Sequence, residues 1–201
     1  MEIAAVRKSV QETAETHARI LSAAGRLFRE RGFDGVGVAD LMKSAGLTHG
    51  AFYNHFESKD ALASQISEEV LKQTTCAWSE IAETGGESGG FEAFIATYLS
   101  KSHRDSPGSG CLVSALGGDV GRQGSSVRQA FTAGLRPMID FLTRYSIGRS
   151  KAMKRERAMV TLATLVGAVT LARAVDDAEL SDEVLRAARG AFGLPGEAEV
   201  E

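Results

Sequence analysis

Cysteine, proline and aromatic residues are all scarce in this 201-residue sequence, at two, three and 6%. Cys76 and Cys111 form no C-x-x-C pair and cannot build a zinc site alone, so free thiols are expected and a disulfide scaffold is not. Only Pro107, Pro137 and Pro195 interrupt the chain as helix breakers, and strand-like alternation of apolar and polar residues is equally sparse. Long apolar runs are missing too. The least polar stretch, Ala158 to Ala172, contains threonines and a glycine and falls short of the roughly 20 residues a bilayer span needs, so no membrane partner is expected. The N-terminus lacks the apolar segment and small-residue cleavage site of a secretory signal, and a cytoplasmic location is expected.

Catalytic signatures are also absent. His17, His49, His55 and His103 form no H-E-x-x-H pair, no G-x-S-x-G turn occurs, and Gly117 to Gly121 lacks the Lys-Ser/Thr of a phosphate-binding loop. No enzyme, metal site or cofactor is expected. What remains is 43% apolar and 24% charged residues, an ordinary balance for a globular chain with a core. The net charge is −3, unevenly spread. Residues 1–59 hold eight Lys/Arg against seven Asp/Glu, a net +1, which leaves −4 for the rest. That asymmetry permits a polyanionic partner without arguing for one, so positioned residues must carry the functional reading.

The apolar spacing predicts an all-α protein. A first helix over Thr16–Arg31 places Ile20, Ala24, Leu27 and Phe28 on one face and stops at Gly32. A short second helix carries Val38, Leu41, Met42 and Ala45 at i, i+3, i+4 and i+7 and ends at Gly46. Thr48 then suits a helix N-cap, with Leu47 and Phe52 placed as a hydrophobic staple. Ser58 caps a long fourth helix through Leu62, Ile66, Val70, Trp78 and Ile81, which is expected to run out in a loop over Gly85 to Gly90. Further helices are expected at about 91–103, 111–121, 125–147 and 152–175. Pro137 should kink or divide one of them, and a last one should begin at Ser181 and reach Ala191.

Two short helices joined by Ala45-Gly46-Leu47, with a supporting helix before them, form a helix-turn-helix, whose second short helix enters the major groove of DNA. At 100° per residue, His49, Gly50, Tyr53 and Asn54 share that helix's outward face. His49 offers ring nitrogens to base edges, and Gly50 lets the backbone come close. Thr48 and Tyr53 offer hydroxyls to phosphate, joined by the positive end of the helix. Lys59 sits in a first helical turn, where the macrodipole disfavours a cation unless an anion accompanies it.

The run Asp40-Leu41-Met42-Lys43-Ser44-Ala45-Gly46-Leu47-Thr48-His49-Gly50-Ala51-Phe52-Tyr53-Asn54-His55-Phe56-Glu57-Ser58-Lys59-Asp60-Ala61-Leu62 closely resembles the helix-turn-helix of the tetracycline-repressor (TetR) family. With the first helix, the resemblance covers roughly residues 13–62. It implies a three-helix DNA-binding domain at 1–57 and a helical effector-binding and dimerisation domain at 58–201. It also implies an omega-shaped homodimer on a palindromic double-stranded operator, acting as a repressor released by a small molecule. Phosphate contacts are assigned by the resemblance to Thr48, Tyr53, His55 and Lys59, and base-facing positions to His49 and Gly50. The His55 assignment rests on the resemblance alone. Gly37 departs from the family, which usually has Ser or Thr there.

Beyond residue 62 the signals are weaker. Trp78, Phe94, Tyr98, Cys111, Phe131, Met138 and Phe141 are candidates for an effector pocket or for plain packing. Cys111 follows Pro107-Gly108-Ser109-Gly110 at a helix start, which suits either a reactive sensor thiol or a buried inert one. Met159, Leu162, Ala163, Val166, Gly167 and Val169 form an apolar stripe. The resemblance assigns dimerisation to the last two long helices, and the alternative is a helix buried within one monomer. A competing functional class is a helical protein-interaction module that binds no operator.

Overall fold

The computed structural model describes residues 2–84 and 86–195, with side chains described for residues 11–84 and 89–195. Helices and short connections account for all of it, with no strand among the described residues. The expected all-α class therefore holds. Helix α1 spans Glu2–Arg31, a longer element than the apolar spacing marked out; residues 11–15 are exposed, and Gln11 pairs with Glu15 at 3.0 Å along this part of it. Helix α2 spans Val38–Ser44. A six-residue 3₁₀ helix, His49–Asn54, is called the recognition helix below. Ile20, Ala24, Phe28, Leu41, Met42 and Phe52 are fully buried among these elements, each large side chain contributing about 1.5–3 kcal/mol by leaving water.

Helix α3, Lys59–Thr84, is the spine. Its 26 residues extend roughly 39 Å from the helix-turn-helix into the rest of the molecule. Ser58 caps it, its hydroxyl accepting the Ala61 N–H at 3.0 Å. Helix α7, Ser125–Tyr145, packs along α3, and α8, Lys151–Ala174, packs on α7. Between them lie α4 (Gly86–Tyr98), α5 (Lys101–Asp105), a single Pro107–Ser109 turn and α6 (Leu112–Val120). Helix α9, Ala178–Ala191, returns against α8. Trp78, Phe94 and Phe141 form an aromatic knot, with ring centroids 4.8–5.8 Å apart, where α3, α4 and α7 meet.

Three expectations need correction and a fourth is narrowed. The glycine-rich segment is not a loop over Gly86 to Gly90 but the start of α4, and Gly85 lies outside the described residues. A Cβ at Gly90 would overlap the Ala82 carbonyl, so this glycine serves close approach of α4 to α3. The helix expected over 91–103 is broken after Tyr98, with Ser100 capping α5 by accepting the His103 N–H at 3.1 Å. Of the two outcomes expected at Pro137, a kink or a division, division does not occur, since α7 runs unbroken through it. The cap of α9 is Asp177, which accepts the N–H groups of Glu179 and Leu180. Ser181 is buried instead and donates at 2.7 Å to the Ala172 carbonyl, one of the last-turn acceptors that α8 cannot satisfy itself.

Candidate nucleic-acid interface and adjoining cavity

The turn between α2 and the recognition helix is held by two devices. Gly46 sits at φ 72°, a left-handed conformation in which a side chain is strained, and the Leu47 N–H reaches back to the Met42 carbonyl at 2.9 Å. Arg19 on α1 donates to the Ala45 carbonyl at 2.7 Å, tying the supporting helix to the turn. Phe52 is wholly buried and packs near Phe56, which leaves the opposite face of the recognition helix free. Thr48, His49, Gly50, Tyr53 and Asn54 are exposed, Tyr53 by 63%. Thr48 makes no side-chain cap bond, so its hydroxyl has no role in starting the 3₁₀ helix. The ring centroids of His49 and Tyr53 stand 6.1 Å apart, edge to face.

His55 and Lys59 sit differently, both half-buried. His55 lies at the C-cap of the recognition helix, its ring centroid 5.9 Å from that of His17 on α1. His17 stacks on Phe56 at 4.6 Å and its Nε2 lies 2.9 Å from the Gln65 amide of α3, so this histidine joins three elements. The Lys59 ammonium lies 6.0 Å from the Phe28 ring centroid, at the outer reach of a cation–π contact. Gly37 precedes α2 in extended conformation and contributes no side-chain cap.

A cavity of about 330 Å³ opens further along α3. Val70, Gln73, Thr74, Ala77, Trp78 and Ile81 line one wall, and α4 supplies Phe94, Thr97 and Tyr98. His103, Ser109, Gly110 and Cys111 close one side, and Arg29 of α1 completes the lining. Four of the seven pocket candidates therefore line it: Trp78, Phe94, Tyr98 and Cys111. Phe131, Met138 and Phe141 do not. Met138 and Phe141 are buried in the core on α7, and Phe131 packs against that core, which leaves none of them facing the opening.

Several polar groups beside the cavity are paired, while the buried Tyr98 hydroxyl has no hydrogen-bond partner among the described residues. His103 Nδ1 lies 2.6 Å from the Tyr98 carbonyl and its Nε2 lies 3.0 Å from the Cys111 nitrogen. The ring is thus neutral, donating through Nδ1 and accepting the Cys111 N–H through Nε2. Burial holds its pKa below the ordinary histidine value, with Arg173 acting in the same direction. Arg173 donates to the carbonyls of Arg104 and His103 and to the Ser114 hydroxyl. Cys111 is buried at the N-cap of α6, and desolvation raises its thiol pKa, so the helix start does not activate it. Cys76 is exposed on α3.

The model of the bacterial regulatory proteins of the tetR family matches residues 20–66, the stretch that holds the C-terminal part of α1, all of α2 and the recognition helix, and the start of α3. Residues 20–66 thus form a tetR-family domain. Among curated relatives the chain is 44% identical to the regulator AcrR of Shigella flexneri over 62 residues, 31% of this chain and 29% of that protein. It is 28% identical to the repressor NemR of Escherichia coli K12 over 133 residues, 64% of this chain and 66% of that one. The match thus spans less than a third of AcrR and about two thirds of NemR. Among solved structures, reduced E. coli NemR superposes with a TM-score of 0.72 at 24% identity, covering 92% of this chain and all of that one. A TetR regulatory protein of Rhodobacter sphaeroides gives 0.73 at 19% identity, covering 89% and 97%. At these identities the superpositions speak to the fold, which extends through α9.

The apolar stripe expected on the second-last helix lies on α8 and divides between two faces. Leu162 and Val169, both members of the expected stripe, face the monomer's own core. A second face of α8 is exposed and apolar, with Met159, Val160 (66% exposed) and Leu171 (59%), and Leu180 of α9 adds to it. A Cβ at Gly167 would meet nothing within 4 Å. Among the described residues α8 is the one helix long and apolar enough to cross a membrane, and it packs on α7 and α9.

Proposed function

We propose that this protein is a cytoplasmic DNA-binding transcriptional repressor that grips a palindromic operator as a homodimer and is released by a small-molecule effector. The observation that carries the reading is the outward face of the recognition helix: Thr48, His49, Gly50, Tyr53 and Asn54 stand free of the protein while Phe52 anchors the helix from behind. Base-edge contacts from His49 and close backbone approach at Gly50 supply sequence preference. Thr48, Tyr53, Lys59 and, through the family resemblance, His55 supply phosphate contacts that set register. With a net charge of only +1 over residues 1–59, affinity leans on helix-end dipoles, positioned donors and the doubling that a dimer provides. The exposed apolar face of α8 with Leu180 supports a dimer joined through α8 and α9, since large contiguous apolar surface is otherwise costly in water.

Release follows from geometry. Two recognition helices related by the dimer axis must sit about 34–36 Å apart to enter successive major grooves. Helix α3 connects each of them to the cavity, so a ligand that prefers a different tilt of α3 drives the helices out of register. The test is a mobility-shift titration with DNA flanking the protein's own gene. A shift at a palindromic flank supports the repressor. A stable dimer that shifts no such flank identifies a protein-interaction module instead.

A further inference from the structure

The cavity beside α3 has a polarity that the family assignment does not supply. The six α3 residues that line it recur at i, i+3, i+4, i+7, i+8 and i+11, a stripe roughly 16 Å long at 1.5 Å per residue. Its far end is apolar, built on Trp78, Ile81 and Phe94. At its near end, toward the DNA-reading helices, Arg29 of α1 reaches the same space that Val70 and Gln73 border. No aspartate or glutamate lines the cavity itself, and the one carboxylate of the adjoining hollow that shares Arg29, Val70 and Gln73 is Glu69.

The state of Arg29 sharpens the point. Its Nε donates to the Gly108 carbonyl at 2.8 Å, and one terminal nitrogen, Nη2, donates to the same oxygen. The other, Nη1, has no acceptor among the described residues. Arg29 forms no ion pair there either: Glu30 is engaged by Arg26 at 3.0 Å and Glu69 accepts from Gln73 at 2.8 Å. Burial disfavours its charge. A half-buried guanidinium with a spare donor, set between this mostly apolar cavity and the adjoining hollow that Glu69 borders, is matched by a carboxylate, which takes two parallel N–H bonds from arginine.

Building on the effector-released repressor reading, we propose that the cavity binds a small amphipathic carboxylate. Its acid group pairs with Arg29 and its aromatic or aliphatic body lies along α3 against Trp78 and Phe94. Neutral and cationic molecules of the same shape bind more weakly. Because Arg29 belongs to α1 and also holds Gly108, such a ligand touches the supporting helix of the helix-turn-helix directly.

Trp78 is the sole tryptophan of the chain and lines the cavity, so its fluorescence reports occupancy without DNA. The full-length protein is titrated with 4-phenylbutyrate, 6-phenylhexanoate and octanoate, each beside its primary amide. At least one acid is expected to bind roughly tenfold or more tighter than its amide, the scale of a charge-assisted hydrogen bond. Arg29→Gln should abolish that preference while leaving amide binding in place, and Arg29→Lys should keep part of it. If no acid exceeds its amide by that margin, or if Arg29→Gln weakens acid and amide alike, the proposal is overturned. The acid-to-amide ratio of the unaltered protein decides the matter even if a variant folds poorly. Since no DNA is present, a failed operator shift leaves this result standing, and an intact operator shift does not rescue it.

Discussion

Replacing Gly134 with alanine tests how closely the α3 spine is gripped by α7. A Cβ at this position would lie 2.6 Å from Leu71 Cδ1 and 2.7 Å from Leu71 Cβ, against the roughly 3.5–4.0 Å at which carbon atoms rest. The Cδ1 atom can swing aside, but the Leu71 Cβ is fixed to the α3 backbone, so α3 and α7 must part locally by roughly 1 Å. Overpacking of this kind costs about 1–3 kcal/mol. Exchanging glycine for alanine inside a helix returns about 1 kcal/mol of backbone entropy, and the right reference is therefore Gly118→Ala on α6, where an added Cβ meets nothing within 4 Å. The two variants share the propensity gain and differ by the overlap alone. For a chain of about 200 residues, a difference of about 2 kcal/mol separates the melting temperatures by roughly 4–8 °C. Differential scanning calorimetry at one fixed protomer concentration reads it, because the melting point of the proposed dimer would move with concentration. Equal melting temperatures for Gly134→Ala and Gly118→Ala would refute the claim that α7 abuts α3 at Leu71.

Other expectations follow from the same geometry. Lys59→Ala should weaken DNA binding across all sequences and flatten the salt dependence by roughly one phosphate's worth, whereas His49→Ala should change preference at particular bases; identical salt slopes for Lys59→Ala and the unaltered protein would remove Lys59 from the phosphate set. Gly46→Ala should cost about 1–2 kcal/mol by forcing an L-residue to φ 72°, read as a lowered urea midpoint. His103 has a folded pKa below its ordinary value of 6.5, so the unfolded chain takes up the proton first: its contribution to stability is full above about pH 6.5 and is lost as pH falls below that value toward the folded pKa. Urea titrations at pH 7.5 and 5.5 should show that loss, and His103→Gln should shrink it.

Much of the DNA-reading end was legible because its signals are local. Ile20, Ala24, Leu27 and Phe28 share a helix face through spacing alone, Gly46 marks a left-handed turn, and Ser58 caps the helix it was expected to cap. The 3₁₀ form of the recognition helix was not legible, since six residues anchored by one buried Phe52 carry no periodicity that separates it from an α-helical turn. Glycines misled at Gly86 to Gly90, where composition reads as a loop while close packing on α3 decides the structure. Long-range polar contacts were invisible for the same reason. Nothing near Arg29 in sequence announces Gly108, 79 residues away, and nothing near Ser181 announces the Ala172 carbonyl. Of the pocket candidates, aromatic type alone does not tell Trp78 and Phe94, which face the cavity, from Phe141, which packs behind them.

The central claim is that the exposed face of the recognition helix reads operator DNA. The most direct measurement compares unaltered protein with the His49→Ala/Tyr53→Ala double variant on the palindromic DNA flanking its gene, with circular dichroism and sedimentation confirming that both are folded dimers. Both residues are exposed, so the fold should be indifferent to their loss. The account predicts a specific shift for the unaltered protein and its reduction to salt-sensitive, sequence-indifferent binding in the variant. An undiminished specific shift in the variant, or no specific shift by the unaltered dimer, would contradict it.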